Sequence, residues 1–217
     1  MISFELNGKE YNLPTSFDDI DMETFCRCFH GLEETDGKEG SDLFYATKHN
    51  ESVIVSRLLG EDDDFCMGLP FTLYEDLASA CTFIYRIDDK GHSQFIEIGG
   101  KRYTVPEPGK MNLRQWIDID MTGNEEDTGD KYLQLLSTML VEVGEDGKPK
   151  PYEGADEGLF EKLKRVKASE GISLIYHFFL LGAISSRITQ ASLTAQEVMN
   201  RLRRNIQDSL QTTTGSI

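Results

Sequence analysis

Little in this sequence invites a chemical function, and what it lacks narrows the choices quickly. Cysteine is scarce: Cys26, Cys28, Cys66 and Cys81 are too few and too irregularly spaced for a disulfide framework. Basic side chains are outnumbered, with 22 Lys and Arg against 38 Asp and Glu and a net charge of −16. A surface of that sign repels a phosphate backbone, which excludes a nucleic-acid-binding role. Long apolar runs are missing. The most apolar stretch, Ile172 to Ile184, contains His177 and falls short of the ~20 residues a membrane span needs. Met1 leads directly into polar strand sequence, so no secretory signal is expected, and a reducing, cytoplasmic place of synthesis follows. A Walker pattern is absent, and His49, His92 and His177 are scattered without a recognisable nucleophile and carboxylate around them.

What the chain does have is a stretch it uses twice. Phe4-Glu5-Leu6-Asn7-Gly8-Lys9-Glu10-Tyr11-Asn12-Leu13-Pro14 is matched by Ile96-Glu97-Ile98-Gly99-Gly100-Lys101-Arg102-Tyr103-Thr104-Val105-Pro106. Asn-Gly and Gly-Gly between alternating apolar residues predict type I′ hairpins, because both dipeptides accept positive φ at the two central positions. Proline, lacking an N–H, closes each second strand. Ile20 to Phe25 then answers to Met111 to Trp116 once one residue is skipped, with Asp21 and Asn112 placed to cap a following helix. The repeated order of turn, Tyr, Pro and cap reads as internal duplication.

The remaining segments are helical in pattern. Helices are expected over Met22 to Leu32, from Ser41 or Asp42 to about Leu59, and from Pro70 onward with a stripe of Leu73, Leu77, Ala80, Cys81 and Ile84. In the second half they are expected over Leu113 to Met121 with Trp116 buried, over Tyr132 to Val143, and over Leu159 to Ala168. Ile172 to Ile188 is apolar almost all round and should be the most buried helix. The fold class is α+β, predominantly helical, with two β-hairpin–helix units. The expected division is a first lobe over residues 1–91, a second over 92–193, and a C-terminal helical arm and tail over 194–217.

Three clusters suggest ligands, and each has a simpler reading. Cys26, Cys28 and His30 carry zinc-type donors, but residues two apart on a helix face different ways and no fourth ligand is in sight. The cysteines read as small buried hydrophobes. Asp118, Asp120, Thr122, Gly123 and Asn124 resemble the start of a calcium loop, yet Gly129 stands where the bidentate glutamate belongs. Gly99-Gly100-Lys101 lies inside a hairpin and precedes no helix. No catalytic residue, metal or cofactor is expected, and the chain is read as a non-enzyme, with a small cytoplasmic enzyme lacking a recognisable motif as the further alternative. The last helix is more informative. Val198, Leu202, Ile206 and Leu210 form one stripe with Arg201, Arg203 and Arg204 beside it. It either packs on the parent domain or docks on a neighbour as a helix in a groove, its arginines complementing an acidic body. The candidate partner-binding residues are Val198, Arg201, Leu202, Arg204, Ile206 and Leu210.

The order of motifs also carries a resemblance. A hairpin with Asn7-Gly8-Lys9, a proline, a short capped helix and two helices split by the acidic turn Glu61-Asp62-Asp63-Asp64 come first. A second hairpin with Gly99-Gly100-Lys101, the Tyr132–Val143 helix, the loop Lys148-Pro149-Lys150-Pro151-Tyr152 and a helix rich in Phe178-Phe179 follow. Over roughly residues 1 to 195 this order resembles small acidic proteins of tailed bacteriophages, of the tail-assembly-chaperone type. The resemblance implies a non-enzymatic assembly or virion role through contacts with phage structural proteins, the tape measure or head and tail components, or with a second copy of the chain. It implies residence in the host cytoplasm during assembly, or in the virion if the protein stays in the particle. One version is a tail-assembly chaperone or head/tail-completion factor; the other is a stoichiometric virion component that tethers neighbours through its last helix.

Overall fold

A computed structural model describes residues 1–86, 93–124 and 129–184. Within them the order is hairpin, helices, hairpin, helices, with a short fifth strand late in the chain. Strands β1 (Ile2–Leu6) and β2 (Lys9–Leu13) pair antiparallel with Ile2 opposite Leu13 and Leu6 opposite Lys9. Asn7 and Gly8 turn between them at φ 52° and 78°, the double positive φ of a type I′ turn. Alternation sends Tyr11 and Leu13 inward, and Tyr11 stacks between Phe4 and Phe65 at centroid distances of 5.4 and 5.7 Å. Strands β3 (Phe95–Ile98) and β4 (Lys101–Thr104) repeat the arrangement around Gly99 and Gly100, at φ 59° and 77°.

Each hairpin continues through a 3-10 turn, Phe17–Asp19 or Pro108–Lys110, into a capped helix. Helix α1 is Met22–Phe29 and α4 is Leu113–Asn124. The Thr24 amide donates to Asp21 Oδ1 at 2.8 Å, and the Gln115 amide donates to Asn112 Oδ1 at 2.9 Å. Each cap answers one of the donors that a helix start leaves unpaired. The two units thus share their order of elements. They differ in that only β4 gains a third strand, β5 (Val141–Glu142), which places Val141 opposite Thr104 and Glu142 opposite Tyr103.

Helix α2 spans Gly40–Leu58, with Glu39 in the cap position two residues before Ser41, the nearer of the expected caps. A 3-10 turn over Phe65–Gly68 and helix α3 (Phe71–Ala80) follow, with Pro70 in the cap position. Helices α5 (Lys131–Met139), α6 (Glu157–Leu163) and α7 (Ala168–Ile184) complete the described chain. Three expectations need correction. The Tyr132–Val143 helix stops at Met139, because Val141 and Glu142 join the sheet. The Leu159–Ala168 helix ends at Leu163, because the chain leaves the helix after the cap residue Lys164 and bonds to the start of α1. There Met22 donates to the Val166 carbonyl at 2.8 Å, Glu23 to Lys164 at 3.2 Å, and Ala168 to Ile20 at 2.9 Å. The first short helix ends at Phe29 rather than Leu32, since His30 is extended and Gly31 turns the chain at φ 63°.

One apolar cluster runs through both expected lobes. Leu13, Met22, Cys28, Ile54 and Ile84 from the first join Leu133, Leu136, Met139, Leu163 and Leu174 from the second, all fully buried. Helix α7 lies against α1 closely enough for Gly171 to face the Met22 side chain with no room for a Cβ. The boundary near residue 91 and the arm over 194–217 lie outside the described residues.

Candidate interaction surface

The distinctive element is α4, which turns two polar side chains inward beside Ile119 and a row of apolar ones outward. Gln115, Ile119 and Thr122 point inward at 1%, 4% and 8% exposure, while Leu113, Ile117 and Met121 stand outward at 75%, 49% and 58%. Trp116, expected in the core, is half-buried and donates its indole N–H to the Pro108 carbonyl at 3.3 Å. The inward polarity has a local cause. Helix α5 breaks off at Met139, and the carbonyls of a last helical turn have no intrahelical donor. Gln115 Nε2 donates to the Thr138 and Met139 carbonyls at 3.0 and 3.1 Å. Thr122 is satisfied within the helix, its hydroxyl donating to the Asp118 carbonyl at 2.8 Å. Among the described residues no equivalent structural cause accounts for the outward face. Its three side chains recur at i, i+4 and i+8 and expose on the order of 300 Å² of apolar surface, a size at which patches mark interaction sites.

Beside the start of this stripe lies a cleft of about 680 Å³ between β4, the loop over Gly147–Tyr152, the head of α4 and α7; Val105, Lys110, Gln115, Tyr152 and His177 are among its walls. The Lys-Pro-Lys-Pro segment is an exposed loop, and backbone bonds tie it to the sheet. Gly144 donates to the Lys148 carbonyl and Lys150 to the Glu142 carbonyl, both at 2.8 Å. Glu142 lies between Lys101 Nζ at 2.7 Å and Lys150 Nζ at 2.5 Å, and these bonds hold its carboxyl down to about 2. Tyr152 fixes α4 from the other side: its hydroxyl donates to Asp118 Oδ2 at 2.8 Å and its carbonyl accepts from Asn112 Nδ2 at 2.9 Å. Burial and the Asp118 carboxylate together raise the Tyr152 phenol, keeping it a neutral donor.

The other candidate clusters find structural places. Cys26, Cys28, Cys66 and Cys81 are buried thiols, none of them in a disulfide. Burial pushes the Cys28 and Cys81 thiols up to about 12, which suppresses the reactive thiolate. Asp118 to Asn124 are helical, so they form no calcium-type loop. Gly99 and Gly100 make a hairpin turn, as expected. His177, expected in the core, is half-buried at the cleft. Among the described residues no group of three or more His, Cys, Asp or Glu is placed to hold a metal, and no helix is long and apolar enough to cross a membrane. Val198, Arg201, Leu202, Arg204, Ile206 and Leu210 lie outside the described residues. Sequence reasoning missed the α4 stripe because Leu113, Ile117 and Met121 carry the spacing of a buried face.

No family model matches the chain, and no curated protein or solved structure matches it either.

Proposed function

We propose that the protein is a tailed-phage assembly factor of the tail-assembly-chaperone type, working by protein–protein contact rather than by catalysis. The observation that carries this reading is helix α4, which anchors itself with polar groups and turns Leu113, Ile117 and Met121 to solvent. An apolar stripe on a helix tied down at Gln115 and Asp118 suits an amphipathic helix of a structural partner, such as the tape measure before the tail tube closes around it. Magnitude favours a transient contact. About 300 Å² on each side makes an interface near 600 Å², below the ~1,200 Å² of stable complexes. A carrier must release its client, whereas a permanent virion component needs a larger area.

The test is a binding assay with candidate tail and head proteins of the same phage, for wild type and for the double variant Leu113→Asp, Ile117→Asp. Loss of binding in the variant, with the protein absent from purified particles by mass spectrometry, is expected. Unchanged binding refutes the docking face. Stoichiometric presence in particles replaces the chaperone by the virion component.

A further inference from the structure

We infer that the α4 stripe has a resident cover, residues 194–210 of the same chain, which a client must displace. This rests on the stripe being the docking face and names how that face is regulated. The exposed stripe of Leu113, Ile117 and Met121 repeats every four residues, and so do Val198, Leu202, Ile206 and Leu210 in the sequence beyond the described helices. Two i±4 rows interdigitate in the commonest class of helix packing. Charge agrees. Residues 185–217 hold four arginines against Glu197 and Asp208, which leaves the rest of the chain with 36 acidic and 18 basic side chains. Asp118 and Asp120 lie on α4 itself, with Arg114 as its one basic residue.

The covalent path permits the contact. His177 of α7 shares the cleft with Lys110 and Asn112, which lead into Leu113. Described structure ends at Ile184, seven residues beyond His177. Residues 185–193 can extend ~30 Å, whereas the stripe from Leu113 to Met121 is only ~12 Å long. A tether of that length gives an effective concentration in the millimolar range. The chain's own segment therefore outcompetes a second copy at micromolar protein.

Hydrogen–deuterium exchange on the full chain tests this. Amides of 198–210 should exchange about ten-fold or more slower than an unstructured peptide, equally at ~2 and ~50 µM protein. Either Ile117→Asp or Ile206→Asp should abolish that slowing while α5 and α7 keep theirs. Absence of slowing in the wild type, slowing that survives Ile117→Asp, or slowing that grows with concentration overturns the inference. A photo-crosslinker at position 117 gives a readout that does not depend on the Asp variants folding. Links to 198–210 within one chain support the cover; links between chains, or to other segments only, overturn it. The outcomes separate from the docking reading, because a client that still binds the Leu113→Asp, Ile117→Asp double variant sinks that reading without altering exchange in the free protein.

Discussion

Replacing Gly171 by alanine should destabilise the protein, although alanine is the better helix former. A Cβ at position 171 would lie 2.3 Å from Met22 Sδ, 2.7 Å from Met22 Cγ and 3.3 Å from Leu136 Cδ1. Met22 and Leu136 are both fully buried, so the thioether has to swing within a closely packed core. Overpacking of this kind costs about 1–3 kcal/mol, against a gain of about 1 kcal/mol from removing a helical glycine. The net loss is about 1 kcal/mol, or roughly 2–4 °C in Tm for a chain of this size. Urea denaturation measures it, with an unchanged m-value showing that only stability has moved. The double variant Met22→Ala, Gly171→Ala separates clash from propensity. Met22→Ala alone opens a cavity and costs about 2–5 kcal/mol. In the pair the new methyl partly fills that cavity and the clash is gone, so the combined loss should fall below the sum by about 1 kcal/mol or more. A stabilised Gly171→Ala variant, or strict additivity, would refute the close approach of α7 to α1.

Two further outcomes follow from groups whose acidity the fold shifts. Cys28 and Cys81, with thiols pushed up to about 12 by burial, should resist iodoacetamide at pH 8 in the native protein and react at once in urea, read by intact mass. Glu142 has a folded pKa lowered from 4.5 to about 2 by its bonds to Lys101 and Lys150. Its contribution is therefore fully present above pH 4.5 and fades as the pH falls toward 2. The urea midpoint of Glu142→Gln should accordingly drop less than that of the wild type between pH 5 and pH 2.5. The difference should be small, because both lysines are more than half exposed.

Legibility in the sequence tracked how local the determining physics is. Both hairpin turns were readable to the residue, because Asn7-Gly8 and Gly99-Gly100 state a turn type by their own conformational freedom. Asp21 and Asn112 were readable as caps for the same reason. Helix ends decided by distant partners were not. Nothing near Met139 announces that Val141 will join Thr104, 37 residues away, and nothing near Leu163 announces that Lys164 and Val166 will accept from the amides of Glu23 and Met22. The cleft needs β4, α4, α7 and the Lys-Pro-Lys-Pro loop at once, so no single stretch could reveal it. The expected partner-binding side chains lay past residue 193, whereas the described docking face sits on α4.

Helix α4 inverts the usual inference from pattern to burial, and the inversion can be measured on two neighbouring positions. By pattern, Ile117 belongs to the core and Gln115 to solvent, so Gln115→Met should be harmless and Ile117→Lys ruinous. The hydrogen bonds argue the reverse. Methionine nearly matches glutamine in volume, but it would leave the Thr138 and Met139 carbonyls without the donor that Gln115 supplies. An unsatisfied buried acceptor costs about 1–3 kcal/mol, and apolar packing of the new side chain returns only part of that. Ile117 is half exposed, so a lysine there can carry its charge into water along an apolar stem and should leave the chain folded, costing about 0.5 kcal/mol at most beyond the about 1.4 kcal/mol that a ten-fold protected cover contributes. Urea denaturation of the two single variants decides between these orders. If Gln115→Met proves neutral and Ile117→Lys unfolds the chain, the outward stripe belongs to the protein's own core, and both the docking face and its cover fall with it.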